Sequence, residues 1–168
     1  EGVHRPAAPA AAQAAAPQGE PGAHRTGYET LLSWDAFDAW LARINAASLT
    51  AFDTETTGLD PLAARLVGMS FATTEGEAAY LPLAHGYADA PAQLPLAEVL
   101  ERLRPWLESD AHRKLGQNLK YDAHILANHG IQLAGIAEDT LLESYVLESD
   151  KSHDMDSLAS RHLGLKTL

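Results

Sequence analysis

No cysteine occurs among the 168 residues, so a disulfide framework, a thiolate metal site and a cysteine nucleophile are all excluded. That agrees with a reducing cytoplasm. Positive charge is scarce as well: 12 Lys and Arg stand against 23 Asp and Glu, for a formal net charge of −11. A broad basic face of the kind that grips phosphate is therefore not to be expected. Long apolar runs are missing too. The Ala stretch at 10–16 is interrupted by Gln13 and flanked by Pro9 and Pro17, and is too short to span a membrane. No signal peptide is visible.

What is present fits one globular domain, because 168 residues with 46% hydrophobic content allow a real core. Residues 1–27 are rich in Ala, Pro and Gly without apolar periodicity, a linker composition, and residues 28–168 carry the patterned sequence. The chain opens on Glu1 and stops at Leu168 shortly after Gly164, and reads as a piece cut from a longer protein. Periodicity predicts a helix over 34–46 with Ser33 as its cap, then strands at 49–54, 65–73 and 78–83 joined by hairpin-like connections. A helix follows at 95–108, with Pro105 kinking or ending it. Beyond it come a strand at 113–116, a helix at 119–129, a strand near 135–138 and a helix at 140–148. Three antiparallel strands followed by strand–helix alternation make an α/β fold, a mixed sheet covered by helices.

The chemistry is concentrated at Phe-Asp-Thr-Glu-Thr-Thr-Gly-Leu-Asp, residues 52–60, where an apolar strand runs into Asp53 and Glu55. Their spacing on a strand turns both carboxylates to one face. Like charges held there are costly unless a cation neutralises them, which points to Mg²⁺ or Mn²⁺; a strand-end cap is the plain alternative. Glu75 and Glu77 share the spacing but flank Gly76 in a turn, and read as solvated. The second stretch is Leu-Gly-Gln-Asn-Leu-Lys-Tyr-Asp at 115–122. A short strand ends at Gly116 and a helix begins near Asn118, which leaves Asp122 in the early turns. Either Asp122 serves the helix dipole, or its strand lies beside the first and Asp122 completes a three-carboxylate pocket suited to hard cations. His124 lies two residues from Asp122 and does not share its helix face. His85, His112 and His129 fall at apparent turns or helix ends and read as solvated, and no histidine is assigned to metal.

With these stretches, residues 28–168 resemble the 3′→5′ exonuclease (proofreading) domain of bacterial family A DNA polymerases, of the DnaQ-like and ribonuclease H-like type. Residues 52–60 look like its first exonuclease motif and 116–122 like its second. Leu-Val-Gly-Met-Ser-Phe-Ala, Ile-Leu-Ala-Asn-His-Gly-Ile, Asp-Thr-Leu-Leu-Glu-Ser-Tyr-Val-Leu and His-Asp-Met-Asp-Ser-Leu-Ala follow in the family's order. The third motif, Tyr-x-x-x-Asp, is absent and would lie beyond Leu168. Asp154 and Asp156 do not replace it, because their segment precedes that motif and reads as the cap of a helix whose face holds Met155, Leu158, Ala159 and His162. Ser152 stands where the family leads one to expect a basic residue before His153.

The resemblance implies a ribonuclease H-like fold and hydrolysis of 3′-terminal nucleotides of DNA by two divalent cations, Mg²⁺ or Mn²⁺, with Zn²⁺ as an alternative at one site. In that scheme Asp53, Glu55 and Asp122 are catalytic residues and metal ligands. Thr56, Leu59, Gln117, Asn118 and Tyr121 bind the strand, with Leu59 wedged against the terminal bases. Without the resemblance, Leu59 reads as loop packing, Tyr121 as a half-buried helix residue, and Gln117 with Asn118 as a capping pair. The implied partners are a single-stranded 3′ end and the adjoining polymerase and 5′ nuclease domains of one longer chain, with no membrane. A monomer in the bacterial cytoplasm, associated with the nucleoid, is implied as well. Short-range contacts and bound cations answer the objection of the negative charge. Two other readings stay open, a catalytically inactive scaffold or single-strand-binding domain, and a ribonuclease D-like RNA-trimming exonuclease. Asp53→Ala or Asp122→Ala is expected to abolish activity with little loss of fold.

Overall fold

The computed structural model describes residues 27–165. The linker expectation therefore falls, but for Gly27, outside the described residues. Strands β1 (Gly27–Thr30), β2 (Thr50–Thr56), β3 (Leu66–Thr74), β4 (Glu77–Pro82), β5 (Lys114–Gly116) and β6 (Ile136–Asp139) form one sheet in the order β1-β4-β3-β2-β5-β6. β2, β3 and β4 are antiparallel neighbours, while β5 runs parallel to β2 and β6 parallel to β5. That is the mixed sheet the periodicity predicts. The addition is β1, which lies parallel to β4 at the sheet edge. Its sequence, Gly-Tyr-Glu-Thr, has no apolar alternation to announce it. It is held instead by the ladder and by the Trp40 indole N–H donating to Glu29 Oε2 at 2.8 Å.

Among the described residues there are five α-helices, α1 (Trp34–Ala46), α2 (Leu96–Leu107), α3 (Leu119–Ala127), α4 (Thr140–Leu147) and the single turn α5 (Met155–Leu158). A π-helical turn at Ala159–Leu163 continues α5 and stops at Gly164, whose φ of 65° is a left-handed cap. The Ser33 side chain accepts from the Ala36 N–H, as its position before α1 requires. Phe37, Trp40 and Ile44 form the buried stripe of α1. Pro105 does not end α2; the helix runs two residues past it to bury Trp106 and Leu107. This close to the C-terminus, proline removes a single backbone bond and the packing outweighs it.

One face of the sheet is the core. Phe52 and Phe71 lie opposite each other in register and meet Trp106 edge-on, with ring centroids 5.7–6.0 Å apart. Alternation along β2 sends Thr50, Phe52 and Thr54 into that core and turns Ala51, Asp53 and Glu55 to the opposite face. Lys114 is fully buried beneath the same tryptophan: its Nζ donates to the backbone oxygens of Ser109 (3.3 Å) and His112 (2.8 Å) and lies 4.4 Å from the Trp106 ring. Burial pushes its pKa down to about 8. The residues Glu75 and Gly76 turn β3 into β4, with Gly76 at φ 80°.

Candidate active site

β5 is three residues long and pairs with β2 only at Thr50–Lys114 and Ala51–Leu115. Past that point β2 continues alone on this side, and the crevice opens where the parallel strands part. The Thr54 N–H points into it, beyond the end of β5. Asp122, on the first turns of α3, takes that bond at 2.9 Å and the Thr54 hydroxyl at 2.6 Å, both on Oδ1. Gly116 makes the approach possible. A Cβ there would lie 2.7 Å from the Phe52 carbonyl oxygen and 2.5 Å from the Leu119 side chain, so only glycine lets α3 start this close to β2.

Asn118 occupies the capping position of α3 with φ 63°, yet its side chain makes no capping bond. The acceptor is Asp139. Its carboxylate takes the N–H groups of Asn118 (3.0 Å) and Leu119 (2.9 Å) as well as those of Leu141 (3.0 Å) and Leu142 (3.4 Å) at the start of α4. Gln117 is a tie rather than a cap, its Nε2 donating to the His153 carbonyl at 2.8 Å and its Oε1 accepting from the Thr140 hydroxyl. Tyr121 fixes the loop after β2, sharing a 2.6 Å bond with Thr56 Oγ1 and donating to the Gly58 carbonyl at 2.5 Å. Asn128 adds a 2.7 Å bond to the Pro61 carbonyl. On that pinned loop Leu59 stands 95% exposed, which removes the loop-packing reading of this residue.

These elements enclose a cleft of about 360 Å³ whose walls bring together Asp53, Glu55, Thr56, Leu59, Gln117, Asn118, Tyr121 and Asp122. Its electrostatics are those of crowded like charges. Burial first, then the Asp122 and Glu55 carboxylates, push the Asp53 pKa from 3.8 up to about 6. Asp122, 2% exposed, is also pushed up by burial, with the two Thr54 bonds pulling it back and Asp139 adding repulsion. Excess negative potential on an all-oxygen donor set is what a hard divalent cation relieves. Among the described residues, however, no group of three or more Asp, Glu, His or Cys side chains is assembled tightly enough to hold a metal ion. The donor chemistry fits the cation, and the described side chains do not by themselves close its shell.

A family model described as 3′-5′ exonuclease matches residues 28–168. The chain belongs to the 3′-5′ exonuclease family. It is 52% identical over 144 residues to the DNA polymerase I of Pseudomonas aeruginosa, covering 84% of this chain and spanning only 16% of the relative's length. Among solved structures, the POL domain of Pol1 from M. smegmatis in complex with DNA primer-template and dNTP matches with a TM-score of 0.66 at 22% identity, over 83% of this chain and 23% of that one. The RNase D of Trypanosoma brucei matches with a TM-score of 0.66 at 13% identity, over 86% of this chain and 50% of that one. Identities this low speak to the fold alone, a ribonuclease H-like mixed sheet. Among the described residues no helix is long and apolar enough to cross a membrane.

Within this exonuclease-family chain, two polar residues that build the cleft escape a reading of motifs. Thr54 lies between the two strand carboxylates and reads as a core spacer, although its N–H and hydroxyl orient Asp122. Asp139 has a visible signal in Asp-Thr-Leu-Leu-Glu, a helix-start pattern whose Glu143 accepts from the Asp139 N–H at 3.1 Å. That signal announces α4 but not the second helix held by the same carboxylate. Among the described residues no histidine lines the cleft, though His85, His112 and His129 are half-buried rather than solvated. His153 is buried, with Nδ1 2.8 Å from Ser144 Oγ and its ring 3.7 Å from that of Tyr145. Asp154 caps α5, accepting from the Ser157 N–H at 2.8 Å.

Proposed function

We propose that this chain is the 3′→5′ exonuclease module of a DNA polymerase I and hydrolyses nucleotides one at a time from the 3′ end of single-stranded DNA. The lining of one cleft by Asp53, Glu55 and Asp122 carries the reading, with burial and mutual repulsion holding the proton affinity of Asp53 high there. Asp53 and Asp122 would hold divalent cations together with Glu55 at the mouth of the cleft. Bound there, Mg²⁺ or Mn²⁺ would neutralise the phosphodiester and lower the pKa of an attacking water. Thr54 orients Asp122 through its N–H and hydroxyl. Tyr121, by pinning Thr56 and the Gly58 carbonyl, keeps Leu59 at the rim, where a terminal base would meet it. Gln117 and Asn118 supply polar contacts to the strand.

The adjoining polymerase and 5′ nuclease domains would belong to the same longer protein, in a bacterial cytoplasm. The test is degradation of a 5′-labelled single-stranded DNA oligomer with Mg²⁺ or Mn²⁺. It uses this chain and a version continued at its C-terminus through a Tyr-x-x-x-Asp segment. A stepwise ladder abolished by Asp53→Ala supports the reading. A folded extended chain that yields no ladder overturns it in favour of a scaffold. The equal TM-scores to a polymerase and to an RNase D keep one further substrate in view, and a matched RNA oligomer degraded faster than DNA would shift the assignment to RNA trimming.

A further inference from the structure

The face of the sheet that carries Asp53 and Glu55 also carries a ladder of rings. Asp53 lies opposite Ser70 in β3, and Ser70 opposite Tyr80 in β4, so the Tyr80 side chain rises from the same face two strand spacings away, about 10 Å. One step along, Glu55 lies opposite Gly68. A Cβ on Gly68 would come within 2.2 Å of the Tyr80 hydroxyl oxygen and 2.6 Å of the ring. The bare glycine is what lets the Tyr80 ring lie down across β3 towards Glu55. The hydroxyl is bonded to His85 Nε2, and the His85 backbone is clamped by Gln93, its N–H donating to Oε1 at 2.8 Å and its carbonyl accepting from Nε2 at 2.9 Å. The ring centroids of Tyr80 and His85 are 5.9 Å apart and those of His85 and Tyr87 5.8 Å apart, and Tyr87 is 61% exposed.

We propose that this Tyr80–His85–Tyr87 ladder is a stacking subsite for unpaired bases of a single-stranded nucleic acid whose 3′ end occupies the carboxylate cleft. The inference rests on the exonuclease reading and extends it to nucleotides upstream of the one removed. Charge favours stacking here. A chain of net charge −11 gains little from phosphate, whereas every base offers a π-face to an aromatic ring. The positions are prepared in advance: Gly68 makes room, Gln93 fixes the backbone of His85, and Tyr80 holds its ring, so only Tyr87 has conformational freedom to lose.

Binding is measured by fluorescence anisotropy in EDTA, using the 168-residue chain and fluorescent single-stranded DNA of three and eight nucleotides. Tyr87→Ala is expected to raise the Kd for the octamer about tenfold and that for the trimer less than twofold. An octamer made abasic upstream of its last three nucleotides should lose the same factor on the unchanged protein and nothing further on the variant. Tyr87→Phe should retain octamer affinity. Equal weakening at both lengths, or an octamer Kd unchanged by Tyr87→Ala, overturns the subsite and leaves the exonuclease reading intact. If the unchanged chain binds neither length and the extended chain degrades neither, both readings fall.

Discussion

Asp53→Asn removes a charge from a place where the fold resists it, and the direction of the effect follows from the sign of the shift. An aspartate whose pKa is 3.8 when unfolded and about 6 when folded binds its proton more tightly in the native state. The fold is favoured by that group at low pH and loses the contribution as pH rises through the interval from about 4 to 6. Unscreened, the shift corresponds to about 3 kcal/mol. The side chain is only partly buried and water screens it, which leaves about 1–1.5 kcal/mol. Asparagine keeps the size and an acceptor oxygen. At pH 7.5 in EDTA the variant should therefore melt about 3–5 °C above the unchanged chain, a domain of this length gaining roughly 2–4 °C per kcal/mol. At pH 5 roughly half of that gap should remain, because the native carboxyl is by then largely protonated. Millimolar Mg²⁺ should raise the melting temperature of the unchanged chain and leave the variant's nearly where it was, closing the gap from the other side. Circular-dichroism melts at the two pH values, with and without the cation, read all of this. A variant that melts at or below the unchanged chain at pH 7.5 in EDTA would refute the account of Asp53 as an unneutralised, repelled charge.

Asp122→Ala should behave differently from Asp53→Ala, since it strands the Thr54 N–H and hydroxyl in a buried place, and a loss of about 1–3 kcal/mol is expected from urea titration. Asp122→Asn keeps an acceptor oxygen and should recover most of that loss without restoring exonuclease activity. Thr54→Val removes only the 2.6 Å hydroxyl bond; stability should fall by about 1 kcal/mol, and the exonuclease kcat by about tenfold with KM little changed, because Asp122 loses its orientation but the strand-binding wall does not. Gly135, just before β6, has a φ of 70°, and Gly135→Ala would also put the new Cβ 2.4 Å from the backbone oxygen of His112, so the chain should lose about 2–3 kcal/mol in the same titration; a neutral outcome would contradict that left-handed, close-packed backbone.

The sequence announces the frame of this molecule well, because its strands and helices carry clean periods. The two-residue spacing of Asp53 and Glu55 at the end of an apolar strand puts both carboxylates on one face of β2, and the structure turns that face away from the core that holds Thr50, Phe52 and Thr54. The period Trp34, Phe37, Leu41, Ile44 announces α1, although the stripe that is buried is Phe37, Trp40 and Ile44, with Trp34 and Leu41 partly buried beside it. What periodicity cannot report is polar geometry across long separations. Asp122 meets Thr54 across 68 residues, and this bond argues against the expectation that Asp122→Ala costs the fold little. Asn118 sits where a capping side chain belongs, but the bond comes from Asp139, 21 residues on. β1 stayed hidden for the opposite reason: its pairing is supplied entirely by β4, and a strand whose side chains face water leaves no pattern. Pro105 misleads because it sits in the last turn of α2, where the buried Trp106 and Leu107 outweigh the backbone bond it removes.

Asp139 never faces the cleft contents, yet it is the fastening common to α3 and α4. Loss of this carboxylate would release the first turns of both helices together, and with α3 would go Asp122, seventeen positions earlier in the chain. In a genetic screen such an allele would be scored as a nuclease defect and its cause sought among the carboxylates of the cleft. Hydrogen exchange would tell the two apart: the amides of Asn118, Leu119 and Leu141 would lose protection as one cooperative block, while β2 and its pair of carboxylates stayed closed.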